Sequence, residues 1–420
     1  MSQKQFYFHR RCYLLLGTLS LLFGGVIYTW SILKNPLAAE FGWTPTQLAL
    51  NHTLTMVFIA VGNLLAGALS KKTSPRILML FSAALLFFGF FFASQMNGAS
   101  ILPLYLFNAC FSGIGVGTFL ITVVSTVGTW FPDKKGTSNS TLQMGFGLGG
   151  IVLGYAAGGM IDLSSFGWRK TFLFLAVSIG SMMLFAALIL KPAPVSAKPY
   201  LVSLAGHAQK NGPSDLSASI NSKLYNCSTG VMLQTTFFWR YYLFNLLVTT
   251  IGTVMINFTT DYFAELGSTA SFAILMVGIV SVFNSLGRFL IGVIFDKIGS
   301  RHTILIIGIC AIASPALLLL SLAAHNLIFG VLGCCLAGFS YGSIPSAASP
   351  IIRTIYGGKN FAANLSITLT NSMPAAFMAT IAGAIITAGG SYFQIFLILQ
   401  VLALLAFSIG FSLKQPSRTK

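Results

Sequence analysis

The sequence predicts an all-α integral membrane protein: twelve transmembrane helices in two pseudo-symmetric six-helix bundles. Three observations predict it. The 420-residue chain is 55% hydrophobic and only 7% charged, whereas soluble domains carry about 25% charged residues. Its apolar residues fall into runs long enough to cross a bilayer, and a set of residues recurs at one fixed spacing.

A span needs about 20 apolar residues. Runs of that kind lie near 12–33, 46–69, 76–96, 101–127, 138–161, 168–190, 238–260, 269–295, 302–323, 326–350, 361–388 and 391–413. The start, MSQKQFYFHRRCY, resembles the basic region of a signal peptide. The run behind it is long and lacks a small-residue cleavage site, so it reads as an uncleaved first span. Between the sixth and seventh spans the pattern breaks. Residues 191–237 carry Pro192, Pro194, Pro199 and Pro213 with Lys191, Lys198, Lys210 and Lys223. This polar stretch reads as a linker between an N-terminal half, 1–190, and a C-terminal half, 238–420.

The net charge of +17 suggests nucleic acid only until the charges are placed. All of the 24 Lys and Arg except Lys34, Arg169, Lys170 and Arg288 fall in the two tails, the linker or the loops on one side of the spans. The positive-inside rule then puts both termini in the cytoplasm of a cell membrane. No nucleotide-binding motif is present, which excludes ATP-driven pumping, and nothing marks an enzyme or a cofactor site. The six cysteines show no metal or disulfide spacing and read as small core residues. GIGVGTFL, at 113–120, contains G-x-G-x-G but has no strand before it, so the dinucleotide reading fails its context. Like GFGLGGIVLG at 145–154, it reads as a face where helices cross closely.

The recurrence points to a duplication. Glu40 and Gly42 match Glu265 and Gly267, a spacing of 225 (265 − 40 = 225). At the same spacing Gly67 matches Gly292, Arg76 matches Arg301, Gly113 matches Gly338, Thr129 matches Thr354 and Lys134 matches Lys359. Duplicated halves joined by a linker are expected to place a substrate site near the bilayer midplane.

One charge breaks the apolar pattern. From Phe272 to Phe295 the chain holds a single charged residue, Arg288. A central Arg costs about 2.5–3.5 kcal/mol on insertion scales, so it is expected to face a wet cavity or an anion. The alternative is a salt bridge. Of the seven acidic residues, Glu40, Asp162, Asp261 and Glu265 are expected near the outer face, Asp133 and Asp215 in loops, and Asp296 at the cytoplasmic end of span 8. Asp296 stands eight residues on, about 12 Å along a helix. The favoured expectation is that Arg288 binds an anionic substrate, because its planar fork can grip a carboxylate with two parallel hydrogen bonds. The residue matching Arg288 at the repeat spacing is Asn63 (288 − 63 = 225), a second candidate for substrate contact.

The loops GALSKKTSPR, 67–76, and GVIFDKIGSR, 292–301, resemble the two copies of the loop signature of the major facilitator superfamily, and FGWRKTF, 166–172, resembles that family's start of helix 6. The resemblance covers the whole chain. It implies a gate loop in each half, with Gly67, Arg76, Gly292, Asp296 and Arg301 at signature positions. Lys71 stands where the first copy should carry Asp, which puts the first-half latch in doubt or adds to the positive-inside bias.

GGVIYTWSILKNPLAAEFGW (24–43), TWFPDKKGTSNS (129–140) and FNSLGRFLIGVIFDKIG (283–299) further resemble the oxalate:formate antiporter group, related to the monocarboxylate transporters. That resemblance implies that Arg288 binds substrate carboxylate inside an aromatic cage to which Tyr28, Trp30 and Tyr341 belong. The tyrosine of helix 4 reads Leu120. Where the antiporter has a second cation on helix 11, this chain has Asn371 and Ser372, which favours a monocarboxylate over oxalate. The monocarboxylate transporters place Asp where this chain has Asn284. His52 and Asp261 are the candidates for proton linkage, against the plainer readings of a packed histidine and a solvated helix end.

The expected function is secondary active transport of a small organic anion by alternating access, with exchange favoured. Proton-coupled symport, efflux of lipophiles through the same fold and a carboxylate sensor that transports nothing remain open. The expected partners are the substrate and the lipid bilayer. No metal, cofactor, nucleotide or nucleic acid is implied, and no oligomeric partner is required.

Overall fold

The computed structural model describes residues 3–98, 100–162, 166–197, 199–204 and 226–413. Much of the linker, including Asp215, lies outside the described residues. The helices are α1 (Gln3–Gly24), continued through a 3₁₀ turn (Gly25–Thr29) into α2 (Trp30–Phe41), then α3 (Pro45–Leu69) and α4 (Pro75–Ser94). A π-helix (Leu104–Phe111) leads into α5 (Ser112–Gly128), followed by α6 (Lys135–Asp162) and α7 (Gly167–Ile189). After the linker come α8 (Thr229–Leu233), α9 (Thr236–Glu265), α10 (Ala270–Ala324), α11 (Leu327–Tyr356) and α12 (Phe361–Thr368). A 3₁₀ turn (Leu369–Asn371), α13 (Ser372–Thr387) and α14 (Tyr392–Ser412) complete the chain.

Among the described residues eleven helices are long and apolar enough to cross a membrane. The 55-residue α10 accounts for the difference from twelve. Gly299 inside it has φ 79° and ψ −177°, so α10 is two helices meeting at a kink. Only glycine adopts that backbone without strain. Polar caps set many of the starts. Thr44 and Gln47 form a capping box before α3, and Ser391 and Gln394 form another before α14. Side chains such as Leu64, Phe88, Val177 and Leu405 remain exposed on the helices, as expected of a surface whose solvent is lipid. This is a multi-pass membrane protein.

The first span starts earlier than its apolar run suggests, at Gln3 rather than near residue 12. Phe6 is fully buried and stacks on Tyr200 at 5.3 Å. Arg10 pairs with Asp133 and lies 4.2 Å over the Phe131 ring. These contacts offset the polarity of the segment.

The chain divides into two compact units. Unit 1 is Met1–Asp133, Thr141–Gly206 and Leu365–Thr370; unit 2 is Lys134–Ser140, His207–Asn364 and Asn371–Lys420. In unit 1, α4 packs on α7 and α3 on α5. The glycines of GIGVGTFL make the second packing possible: a Cβ on Gly117 would overlap the Ile59 carbonyl, and one on Gly113 would crowd the Thr55 carbonyl. In unit 2, α10 packs on α11, and α9 contacts α11, α13 and α14.

Each described end of the linker is tied to a turn. In unit 1, Trp130 Nε1 donates to the Lys191 carbonyl at 2.9 Å and the Ala193 N–H to Thr129 Oγ1 at 2.9 Å. In unit 2, Asn226 Oδ1 accepts from the Gly358 and Lys359 N–H groups at 3.1 Å each, and Asn360 Nδ2 donates to the Cys227 carbonyl at 2.6 Å. Burial there pushes the Cys227 thiol up. Thr129 and Thr354, a repeat-related pair, mark the same turn in the two halves of the sequence.

Candidate functional site

Arg288 is 3% exposed. It lies eleven residues before the Gly299 kink (299 − 288 = 11), about 16 Å along the helix. That is roughly half the ~30 Å thickness of a bilayer's hydrocarbon. One turn earlier, buried Asn284 accepts a hydrogen bond from Arg288 Nε through its Oδ1 at 3.0 Å. Asn284 thus orients the guanidinium.

Small residues allow this arrangement. A Cβ on Gly342 would overlap the Asn284 carbonyl, and one on Gly287 would overlap the Phe339 carbonyl, so α10 and α11 are in backbone contact beside the arginine. Ser343 Oγ donates to the Phe339 carbonyl at 2.7 Å within the same crossing. Next to Gly342, Tyr341 rests against Gly252 of α9, where a Cβ would strike its side chain. One turn earlier on α9, Thr249 Oγ1 accepts from Asn371 Nδ2 at 2.9 Å. The residues Arg288, Asn284, Tyr341 and Asn371 are therefore linked in unit 2 by a continuous series of contacts across α10, α11, α9 and the break before α13. Ser372 opens α13 beside Asn371.

Asp261 stands apart. It is exposed on α9, twelve residues beyond Thr249 (261 − 249 = 12), about 18 Å along the helix.

In unit 1 the two aromatic candidates of the first span diverge. The Tyr28 ring meets Phe146 edge-on at 5.7 Å, and its Cβ sits against Gly150 of α6. Trp30 is buried on the α3 side, where its Nε1 donates to the Leu48 carbonyl at 3.0 Å. Asn63 is buried near Gly117, and its Oδ1 meets no donor among the described residues. His52 lines a small cavity with Trp30, Asn51 and Asn108.

The gate-loop residues also separate. Arg76 and Arg301 are exposed, as is Lys71, whereas Gly67 and Gly292 are buried. Asp296 has a defined task within unit 2. Its Oδ1 accepts from the Gly136 N–H at 2.8 Å, and its Oδ2 from the Thr137 N–H at 2.7 Å and Thr137 Oγ1 at 2.6 Å. It caps the first turn of α6, where unpaired N–H groups and the helix dipole favour negative charge. Gly136 and Gly292 allow the approach: a Cβ on either would overlap the other's carbonyl. Nearby, Asn139 Nδ2 donates to the Ser346 carbonyl at 2.9 Å.

The roles of Asn284, Gly136, Thr137 and Thr249 were not legible beforehand. Asn284 had a signal in its spacing, four residues before Arg288 on one helix face. The other three required the tertiary fold.

The family profile described as Major Facilitator Superfamily matches residues 14–365 and 242–420. The chain belongs to the major facilitator superfamily. This transporter is 26% identical over 409 residues to the oxalate:formate antiporter of Oxalobacter formigenes, covering 96% of this chain and 91% of that protein. It is 24% identical over 358 residues to the uncharacterized MFS-type transporter YhjX of Escherichia coli (strain K12), covering 84% and 82% of the two. A solved structure of a double Trp mutant of XylE superposes with a TM-score of 0.75 at 17% identity, over 98% of this chain and 97% of that one. The Escherichia coli fucose:proton symporter FucP superposes with a TM-score of 0.63 at 16% identity, over 97% and 100%. These likenesses establish the fold. The transporter is a secondary transporter that moves a small molecule through a membrane and does not transform it.

Proposed function

We propose that this transporter carries a small organic anion, a monocarboxylate, by alternating access, and exchanges one anion for another. The single observation that carries this reading is a buried cation on a membrane-spanning helix, Arg288, oriented by Asn284. Similarity over 96% of the chain to a protein named for oxalate and formate supports the substrate class. A monocarboxylate fits better than oxalate because Asn371 and Ser372 stand where that antiporter group carries a second cation, and span 361–388 contains no Lys or Arg. Asn371 lies in contact with Thr249 and supplies neutral polarity there.

In the proposed cycle the carboxylate docks on Arg288, with Tyr341 as an aromatic wall of the same unit. The Asp296 cap acts as the latch of the gate loop and is released when the carrier opens to the cytoplasm, where both termini of this cell-membrane protein lie. Carrying a net positive charge through the bilayer is costly, and a bound anion lowers that cost, so exchange outruns net flux. Preloaded vesicles test this directly. Labelled formate, lactate, pyruvate or oxalate is offered to vesicles that are empty or filled with unlabelled anion. Internal anion is expected to accelerate uptake; equal uptake by empty vesicles removes exchange. A proton-coupled monocarboxylate symport is the second reading, favoured by the placement of His52 at a polar cavity. It predicts uptake driven by an inward proton gradient into empty vesicles.

A further inference from the structure

Inside unit 1 lies a cavity of about 20 Å³, taken as the space open to the centre of a water molecule; its polar lining is Trp30, Asn51, His52, Thr55, Asn108 and Ser112. Such a space holds about one water. The cavity sits where two spans leave α geometry. Val26 and Ile27, in the 3₁₀ turn of the first span, line it, and so does Asn108 of the π-helix Leu104–Phe111. Single π turns recur at functional sites, and helices deviate where water enters the ladder.

The polar groups around the cavity constrain its guest. Asn51 is 1% exposed, and its Nδ2 donates to Asn108 Oδ1 at 2.9 Å. Its Oδ1 is buried and meets no donor among the described residues. The protons of three neighbouring donors are committed within the protein. Thr55 Oγ1 donates to the Asn51 carbonyl at 2.8 Å, Ser112 Oγ to the Phe107 carbonyl at 3.4 Å, and Trp30 Nε1 to the Leu48 carbonyl at 3.0 Å. The side-chain oxygens of Asn51, Thr55 and Ser112 are therefore acceptors, and the guest must donate. An anion without an O–H or N–H would leave Asn51 Oδ1 unpaired. A cation finds no carboxylate in the lining. What remains is small, neutral and able both to donate and to accept.

We propose that this cavity is a binding site for a single water molecule, which donates to Asn51 Oδ1 and joins the Asn51–Asn108 pair to His52. It fixes the spacing of the first, second and fourth spans.

Radiolytic footprinting in ¹⁸O-labelled water tests the proposal on the full chain in detergent. A short X-ray pulse generates hydroxyl radicals from bound water as well as bulk water. Buried Trp30 and half-buried His52 are expected to be oxidised within about tenfold of the rate of Tyr155, which is 82% exposed. Absence of oxidation at both, with Tyr155 labelled, overturns the site. Asn51→Leu removes the acceptor and fills the space; labelling at Trp30 should fall at least fivefold with Tyr155 unchanged. Undiminished Trp30 labelling in the folded variant traces the radicals to bulk solvent and also overturns it. Should Asn51→Leu not fold, Thr55→Val removes an acceptor of the same shape and is judged by the same two readings.

Discussion

Replacing Asp296 by Asn isolates the cap of α6. The carboxylate accepts three hydrogen bonds, from Gly136 N–H, Thr137 N–H and Thr137 Oγ1, at 2.6–2.8 Å. Hydrogen bonds to charged groups contribute about 1.5–3 kcal/mol each against about 1 for neutral ones. Opposition to the helix dipole adds a further ~0.3–1 kcal/mol. Asn keeps one carbonyl acceptor in nearly the same volume but turns an amide N–H₂ toward a donor. Because Asp296 is partly exposed, solvent screening reduces the loss, leaving about 1–2 kcal/mol. Amide hydrogen exchange read by mass spectrometry reports this locally, since the bonds protect the amides of Gly136 and Thr137. A loss of 1–2 kcal/mol corresponds to exchange about 5–30 times faster at those two positions. Amides of Ile121 to Val124, far along unit 1, should not change. Unchanged exchange at Gly136 and Thr137 in Asp296→Asn refutes the cap as the hold on this segment.

Gly342→Ala drives a methyl into the Asn284 carbonyl; overpacking of about 1–3 kcal/mol should lower the melting temperature in detergent and impair transport, and an unchanged melting curve contradicts the close crossing. Asn284→Leu removes the acceptor of Arg288 Nε; with about 1.5–3 kcal/mol at stake in a bond to a charged group, the apparent substrate Kd should rise about tenfold or more, and isothermal titration showing unaltered affinity rejects the orienting role. Asn226→Ala deletes the acceptor shared by the Gly358 and Lys359 amides; those two amides should exchange several times faster, while Asn226→Asp, which keeps an acceptor, should protect them.

Most of the fold was legible in the sequence because membrane spans announce themselves by length. The repeat spacing led to an expectation of two halves, and the positive-inside pattern to an expected orientation. The helix ends were less legible. Phe6 and Arg10 extend the first span through an aromatic stack and an ion pair with residues far along the chain, which no local pattern encodes. The sequence FDKIGSR marked the turn between the eighth and ninth spans, and the positive φ of Gly299 makes it a sharp kink between two helices.

At the candidate site, Arg288 was conspicuous because a lone cation in an apolar run is costly. The partners that hold the site were not. Asn284 looked like a lost titratable group and turns out to orient the guanidinium. Thr249 and Gly252 gave no signal, since a threonine and a glycine in a transmembrane helix are ordinary. Tyr28 and Trp30 share a motif two residues apart, but the 3₁₀ turn sends them to opposite neighbours, α6 and α3.

Counterflow of a labelled monocarboxylate in vesicles, comparing the native transporter with Arg288→Gln, tests the binding role of the arginine most directly. Losing one partner of a buried charge pair costs about 3–5 kcal/mol. Exchange by Arg288→Gln should therefore fall a hundredfold or more, with helicity and melting temperature preserved. Exchange at the native rate in that variant contradicts carboxylate binding by Arg288.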